Sequence, residues 1–155
     1  MEWTLHQRLA ADSFRLGSLD LSEVCMMKTS SYPWLILVPR IVDAKELIDL
    51  PQELRYKLMD EISLVSQVMQ GIYHPDKLNV AALGNQVSQL HIHVIARFNT
   101  DAAWPNPVWG SALSPLSGEA IEESALVLAR AFSKASTQWR HDENWQKYIS
   151  AKLVD

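Results

Sequence analysis

The pattern of apolar and polar positions predicts a sheet in the first two thirds of the chain. Strands are predicted at residues 24–27, 34–38, 77–83 and 90–98. The second of these is uniformly apolar, which is typical of a central strand buried on both faces. The last two flank the polar turn at residues 84–88 and therefore predict a hairpin.

Apolar residues at helical spacing predict two long helices. The first stripe runs from Leu54 to Ile72, and the second runs from Ile121 to Trp139. Shorter helices are predicted at 3–13, 43–49 and 145–149, and a turn is predicted at 16–18. Together these elements indicate an α+β layer, an antiparallel sheet with helices packed on one face.

Two of the five histidines lie close together within residues 89–95, where polar and apolar side chains alternate. Successive side chains of a strand point to opposite faces, so Gln89, His91 and His93 form one row. A buried imidazole needs a hydrogen-bond partner, and packing alone rarely explains two of them on a core strand. The row therefore predicts a wall that meets a ligand.

Histidines in this setting suit chemistry at phosphorus. A neutral imidazole is a good nucleophile, and an ordinary pKa near 6.5 leaves it largely neutral at physiological pH. Attack by one ring nitrogen requires that the other hold its proton against a fixed acceptor. Just before the row, Gly84 lets the backbone approach an anion closely, and Asn85, Gln86 and Ser88 add neutral donors. The segment predicts a phosphate cradle with a nucleophile aimed into it.

Two other interpretations of the histidine pair stay open on the sequence. In one, both side chains are structural and bind backbone groups or water. In the other, the His-X-His pair holds zinc or copper. A metal would need a third protein ligand, for which Asn79, Asn99 and Asp101 are the nearby candidates.

Composition and charge narrow the class of protein. The chain has 155 residues, of which 48% are hydrophobic and 21% charged, values ordinary for one soluble globular domain. The net charge of −4 argues against a broad nucleic-acid-binding surface. The start lacks the features of a signal peptide, no apolar run has the length of a membrane span, and the single cysteine, Cys25, fits a reducing compartment. These features predict a cytoplasmic protein without nucleic-acid or membrane partners.

Residues 84–95, which read Gly-Asn-Gln-Val-Ser-Gln-Leu-His-Ile-His-Val-Ile, resemble the signature of the histidine triad (HIT) superfamily. That signature is three histidines separated by single apolar residues, after a Gly-Gln-Ser/Thr-Val-like turn. The apolar strand that ends in Pro39-Arg40, the helix after it and Trp104-Pro105 also fit, so the resemblance covers roughly residues 20–110.

The resemblance implies a HIT-like α+β fold with a five-stranded antiparallel sheet. It also implies a single domain over residues 1–155, with a core at about 20–110 and a helical extension at about 117–150. Such proteins are commonly homodimers that act on nucleotides at the α-phosphate, with no cofactor and no obligatory metal.

The resemblance also assigns roles to individual residues. His91 matches the middle histidine, the nucleophile that forms a transient nucleotidyl-histidine. His93 matches the third histidine, which organises the phosphate and the leaving group. Asn85 and Gln86 match turn residues that contact phosphate oxygens, and Asn79 matches a polar phosphate contact that precedes the turn.

Two positions depart from the family pattern. Gln89 stands where the first histidine belongs, and glutamine can position a phosphate or an imidazole but cannot titrate. Lys28-Thr29 stands where the family has an acidic or amide residue for the ribose. The resemblance thus implies a nucleotide hydrolase or transferase for a nucleoside polyphosphate, such as a diadenosine polyphosphate, or a phosphoramidate. The alternative is a catalytically weakened nucleotide-binding or regulatory protein.

Three further residues are candidates for supporting roles. Trp104 and Trp109, stiffened by Pro105 and Pro107, could stack on a base, close the pocket or pack the loop on the sheet. Arg97 is in phase with the histidines and is predicted to form a supporting ion pair.

Overall fold

The structure is a computed structural model and describes residues 1–144. Its strands are β1 (Ser13–Ser18), β2 (Ser22–Met27), β3 (Trp34–Pro39), β4 (Lys77–Ala81), β5 (Ile92–Arg97) and β6 (Arg140–His141). Its helices are α1 (Gln7–Asp12), α2 (Gln52–Tyr73) and α3 (Gly118–Ala135), with one 3₁₀ turn at Leu47–Asp49. The strands form one antiparallel sheet in the order β4-β5-β3-β2-β1-β6.

Strand β3 lies in the middle of the sheet, and all six of its residues are buried. Leu35 and Leu37 face the core that α2 and α3 cover. Ile36 and Val38 face the opposite side, which we call the histidine face. Because helices or loops cover both sides of β3, the strand reads as a continuous apolar run, as predicted.

The helices are divided unequally between the two faces. The long helices α2 and α3 contribute to the larger core, and the prediction of a helical layer is confirmed for them. The short helix α1 lies on the histidine face, where Leu9 packs in an apolar cluster with Val87 and Val108. This face is covered mainly by irregular chain, which leaves room for a site.

The edge of the sheet differs from the sequence prediction. Residues 3–13 are predicted as a helix and 16–18 as a turn, but only Gln7–Asp12 are helical and Ser13–Ser18 form β1. Gly17 suggests a turn in the sequence. In the structure its lack of a side chain instead lets the segment at β6 lie close against β1. A Cβ at Gly17 would overlap the Arg140 carbonyl oxygen and lie 2.6 Å from the Trp139 ring.

The C-terminal elements extend the sheet from five strands to six. Helix α3 ends at Ala135, so the prediction that Trp139 is helical is wrong. Its ring nevertheless stacks on that of Phe132, with 4.4 Å between the ring centroids. The next residues form β6 beside β1. The helix predicted at 145–149 lies outside the described residues. Within residues 1–144, the helices are all too short or too polar to cross a membrane.

Candidate functional site

A cavity of about 320 Å³ opens on the histidine face. It is lined by helix α1, the ends of β2 and β3, the turn before β5, the start of β5 and the loop after β5. The lining residues are Arg8, Leu9, Asp12, Met27, Trp34, Leu83, Gly84, Asn85, Gln86, Val87, His91, His93 and Trp109. The structure therefore brings together both predicted histidines and the three residues of the predicted phosphate turn.

His91 has one ring nitrogen fixed by the backbone. It directly precedes β5 and is 7% exposed, and its Nδ1 lies 2.7 Å from the carbonyl oxygen of Gln89. A carbonyl oxygen can only accept, so the hydrogen bond requires the proton on Nδ1. In the neutral ring, Nε2 of His91 then carries no proton and has a free lone pair, which is the form a nucleophile needs.

His93 has the opposite arrangement. The indole N–H of Trp34 donates to Nδ1 of His93 at 3.0 Å. An indole is only a donor, so Nδ1 accepts and the proton of the neutral ring is on Nε2. The two imidazoles lie edge to face with 4.8 Å between centroids. The pair thus presents one bare nitrogen and one N–H group.

Burial keeps His93 neutral. The side chain is 6% exposed, and desolvation, together with the neighbouring His91, lowers the pKa of His93 to about 4. At physiological pH this ring is a hydrogen-bond donor through Nε2 and is not a source of acidic protons.

The turn before the histidines is anchored by one apolar residue. Val87 is buried in the apolar cluster of the histidine face, while Asn85 and Gln86 remain exposed at the cavity. Gly84 has a φ of 73°, which is the left-handed conformation that favours glycine. The turn thereby presents backbone and amide groups to the cavity.

Gln89 faces away from the cavity and holds the N-terminal segment. Its amide oxygen accepts from the backbone N–H of His6 at 2.9 Å, and its amide nitrogen donates to the carbonyl oxygen of Thr4 at 2.9 Å. Gln89 does not line the cavity, although its backbone carbonyl holds His91. Strand alternation does not apply to Gln89, because β5 begins only at Ile92.

Asn79 and Trp104 lie apart from the cavity, around a buried arginine. Arg97 donates to Asn79 Oδ1 at 2.8 Å and forms two bonds to the Asp101 carboxylate, at 2.8 and 3.0 Å. Its guanidinium also lies 5.8 Å from the Trp104 ring centroid. The ion pair predicted for Arg97 is confirmed.

The described part of the chain offers no set of ligands for a metal site at the histidine pair. Asn79 and Asp101 bind Arg97, and the backbone N–H of Asn99 donates to Asp76. Across residues 1–144, no three side chains of the His, Cys, Asp and Glu types lie close enough to hold a metal ion.

Several cavity residues were not predicted from the sequence. Trp34 lies on the histidine face of β3, but that strand is uniformly apolar, so its sequence does not indicate which face Trp34 occupies. Arg8 and Asp12 reach the cavity only because α1 folds back over the sheet, and no local pattern indicates that. Trp109, one of the predicted pocket aromatics, lines the cavity with its ring centroid 5.2 Å from that of His93.

The lowered pKa of His93 predicts a pH-dependent stability. In the unfolded chain its pKa is near 6.5, so as pH falls towards about 4 the unfolded state binds the proton first and unfolding is favoured. Between pH 7.5 and 5 this group is expected to remove roughly 2 kcal/mol of stability. Urea unfolding of the wild type and His93→Asn at both pH values measures it, because the asparagine oxygen can still accept from Trp34. An equal pH dependence in both proteins would contradict the assignment.

The two histidines and the glycine turn that resemble the HIT signature thus lie together on one face of an antiparallel sheet. The model of the HIT domain family matches residues 8–100, and the chain belongs to this family. No sequence among the curated proteins matches the chain.

Solved structures of bacterial histidine triad proteins are similar over nearly their whole length. A protein from Bradyrhizobium japonicum is 47% identical, with a TM-score of 0.82, and the match covers 85% of this chain and 99% of that one. One from Marinobacter aquaeolei is 40% identical, with a TM-score of 0.84 and coverages of 88% and 100%. One from Sinorhizobium meliloti is 37% identical, with a TM-score of 0.78 and coverages of 86% and 97%.

Proposed function

We propose that the protein is a nucleotide hydrolase or nucleotidyltransferase in which His91 attacks the α-phosphate. The observation that carries this proposal is the pair of opposite tautomers, with a bare Nε2 on His91 and an N–H on His93. A structural pair of histidines would not need to line a cavity beside a glycine turn. The proposal needs no metal, because the turn and His93 supply donors for the phosphate.

In the first step, the lone pair of His91 Nε2 forms a bond to phosphorus and the bond from phosphorus to the leaving group breaks. The imidazole gains positive charge, and the Gln89 carbonyl, 2.7 Å from Nδ1, stabilises it. The N–H of His93 donates to a phosphate oxygen or to the departing atom. Water then forms a bond to phosphorus and loses a proton to solvent while the bond from phosphorus to His91 Nε2 breaks, which releases the nucleoside monophosphate and restores His91; in a transferase, the hydroxyl of another acceptor takes the place of water.

The turn residues hold the attacked phosphate in this scheme. Gly84 keeps the backbone close to the anion, and the side chains of Asn85 and Gln86 donate to its oxygens. Trp109, whose ring stands edge-on to His93, forms an apolar wall of the same cavity and is a candidate contact for the base. The predicted roles of Asn79, Gln89 and Trp104 in binding or catalysis stay predictions.

The test is a search for the covalent intermediate. The wild type is mixed with diadenosine tetraphosphate or with adenosine 5′-phosphoramidate, quenched at neutral or alkaline pH and measured by intact mass. A mass increase of one adenylyl group, mapped to His91 by peptide sequencing, together with release of AMP, is the expected result. An adduct on another residue, or turnover with attack shown to occur elsewhere than at the α-phosphate, would contradict the mechanism.

A second candidate function is nucleotide binding without turnover, as in a regulatory protein. The observation in its favour is that the oxygen and the nitrogen of the Gln89 amide bind the backbone of His6 and Thr4, so the first triad position contributes no side chain to the cavity. Calorimetry distinguishes the two functions. Nucleotide binding with no AMP release above the uncatalysed rate would support the regulatory role.

Homodimerisation and a cytoplasmic location also stay proposals. The first is supported by the resemblance to the HIT superfamily. The second is supported by a single cysteine, Cys25, that is buried and free. Light scattering at working concentration tests the dimer, and a monomer would contradict it.

A further inference from the structure

The N-terminal segment forms one wall of the cavity, and the side chain of Gln89 holds its first residues. Gln89 binds the backbone of both Thr4 and His6, at 2.9 Å each, across more than eighty residues of sequence. His6 in turn caps α1, because its Nδ1 accepts from the backbone N–H of Arg8 at 3.1 Å. The two bonds of Gln89 therefore fix the start of α1, whereas the backbone N–H of Lys28, which donates to the Asp12 carbonyl oxygen at 3.1 Å, fixes its end.

Apolar contacts support the same placement. Leu9 is buried against the apolar cluster of the histidine face, and Trp3 and Leu5 pack on its edge. These contacts hold the segment to the sheet but do not fix its register along the surface, since apolar packing is not directional. The paired amide bonds of Gln89 fix that register at the start of the segment, just before Arg8.

Arg8 is the cation that this segment brings to the cavity. Its Nε lies 3.7 Å from Asp12 Oδ2, and both side chains are more than half exposed, at 57% and 53%. In the described part of the chain the Arg8 guanidinium has no other ion pair, so its remaining N–H groups are available to a ligand. A guanidinium matches the oxygens of a phosphate, which it can bind through two parallel hydrogen bonds.

The chemistry of His93 also favours a leaving group that departs as an anion, such as a phosphate. Its Trp34-bound, neutral ring offers an N–H bond but no acidic proton. A polyphosphate departs as an anion and needs no proton. An amine must gain a proton as its bond to phosphorus breaks, and this site has to draw that proton from solvent.

We propose that Gln89, by anchoring the N-terminal segment, positions Arg8 to bind the part of the substrate beyond the attacked phosphate, and that Arg8 thereby selects substrates with an anionic leaving group. This inference rests on the proposed function and names its substrate class. In this proposal Arg8 contacts substrate, whereas Gln89 is a positioning residue that acts through the segment. Glutamine suits this role, because it offers a donor and an acceptor to the same stretch of backbone.

The first experiment compares two substrates that share the adenosine moiety. Arg8→Gln is expected to lower kcat/KM for diadenosine tetraphosphate about tenfold, the lower range for a hydrogen bond between charged groups. For adenosine 5′-phosphoramidate the expected change is less than about twofold, because its leaving group carries no charge for Arg8 to bind. Arg130→Gln, an exposed arginine of α3, is the matched control and should change neither value.

The second experiment tests the positioning role through a double-mutant cycle. Gln89→Leu removes both amide bonds and should cause a similar, polyphosphate-selective loss. In that background Arg8→Gln should add less than about twofold, because residues that act together are not additive. If Gln89→Leu folds poorly, Gln89→Glu keeps the acceptor for the His6 N–H and loses only the donor to Thr4.

The outcomes separate this inference from the proposed function. Equal losses on the two substrates, or no loss on either, would overturn the role of Arg8, and full additivity would overturn that of Gln89. If the wild type turns over neither substrate, the proposed function fails. Calorimetry with a non-hydrolysable α,β-methylene adenosine polyphosphate then decides the inference. Arg8→Gln should raise the Kd for this analogue about tenfold and leave the Kd for AMP unchanged. Equal Kd values of wild type and Arg8→Gln for the analogue would overturn the inference.

Discussion

Replacing His91 with asparagine is expected to lower kcat by about 10⁴-fold or more, the scale seen when a covalent nucleophile is removed from an enzyme. The asparagine side-chain N–H can still donate to the Gln89 carbonyl, which accepts from His91 Nδ1 in the structure. No atom then occupies the position of Nε2, so the variant loses the attacking lone pair and keeps the local fold. Steady-state release of AMP from diadenosine tetraphosphate measures the effect.

The control for this experiment is His74→Asn. His74 ends α2 with a φ of 50°, a left-handed conformation that asparagine tolerates well, and it is exposed. The control should keep wild-type activity. An His91→Asn protein that retains nucleotide binding but turns over within tenfold of wild type would show that another group attacks phosphorus. A variant that fails to fold would be recognised by its urea unfolding curve.

Local patterns in the sequence were sufficient for the central part of the site. Alternation over residues 89–95, together with a glycine turn, predicted that Gln89, His91 and His93 would face a ligand beside a phosphate cradle, and the structure brings the two histidines, but not Gln89, to one cavity. These residues are close in sequence, and the geometry of a strand and its preceding turn fixes their relation. The uniformly apolar β3 was predictable for the same reason.

Contacts between distant parts of the chain were beyond the sequence patterns. The tautomer of His93 depends on Trp34, which is 59 residues away, and the conformation of Gln89 depends on Thr4 and His6. Gly17 was misread for a similar reason, since its lack of a side chain serves the approach of β6 and not a turn. Each of these features exists only after the sheet and the N-terminal segment have come together.

Replacing Asp101 with alanine is expected to destabilise the fold by about 3–5 kcal/mol, the usual cost of leaving one partner of a buried ion pair unpaired. The side chains of Arg97 and Asp101 are only 2% and 6% exposed. The hydrogen bonds from Arg97 hold the pKa of Asp101 at about 2, so the carboxylate stays ionised throughout the physiological range. Urea unfolding at pH 7 measures the loss, and Asp60→Ala on the exposed side of α2 should stay within about 0.5 kcal/mol of wild type.

The same ion pair also organises the loop that reaches the site. Asp101 accepts from the backbone N–H groups of Phe98 and Trp104, and Arg97 donates to the Asn106 carbonyl oxygen, so the pair fixes the loop that carries Trp109 to His93. The double variant Arg97→Met/Asp101→Ala leaves no buried charge without a partner, and it should be more stable than Asp101→Ala alone. Its loop has lost the same hydrogen bonds, however, so both variants should show a raised KM for the nucleotide. If the double variant is no more stable than the single one, the cost comes from the loop's backbone bonds and not from the unpaired charge of Arg97.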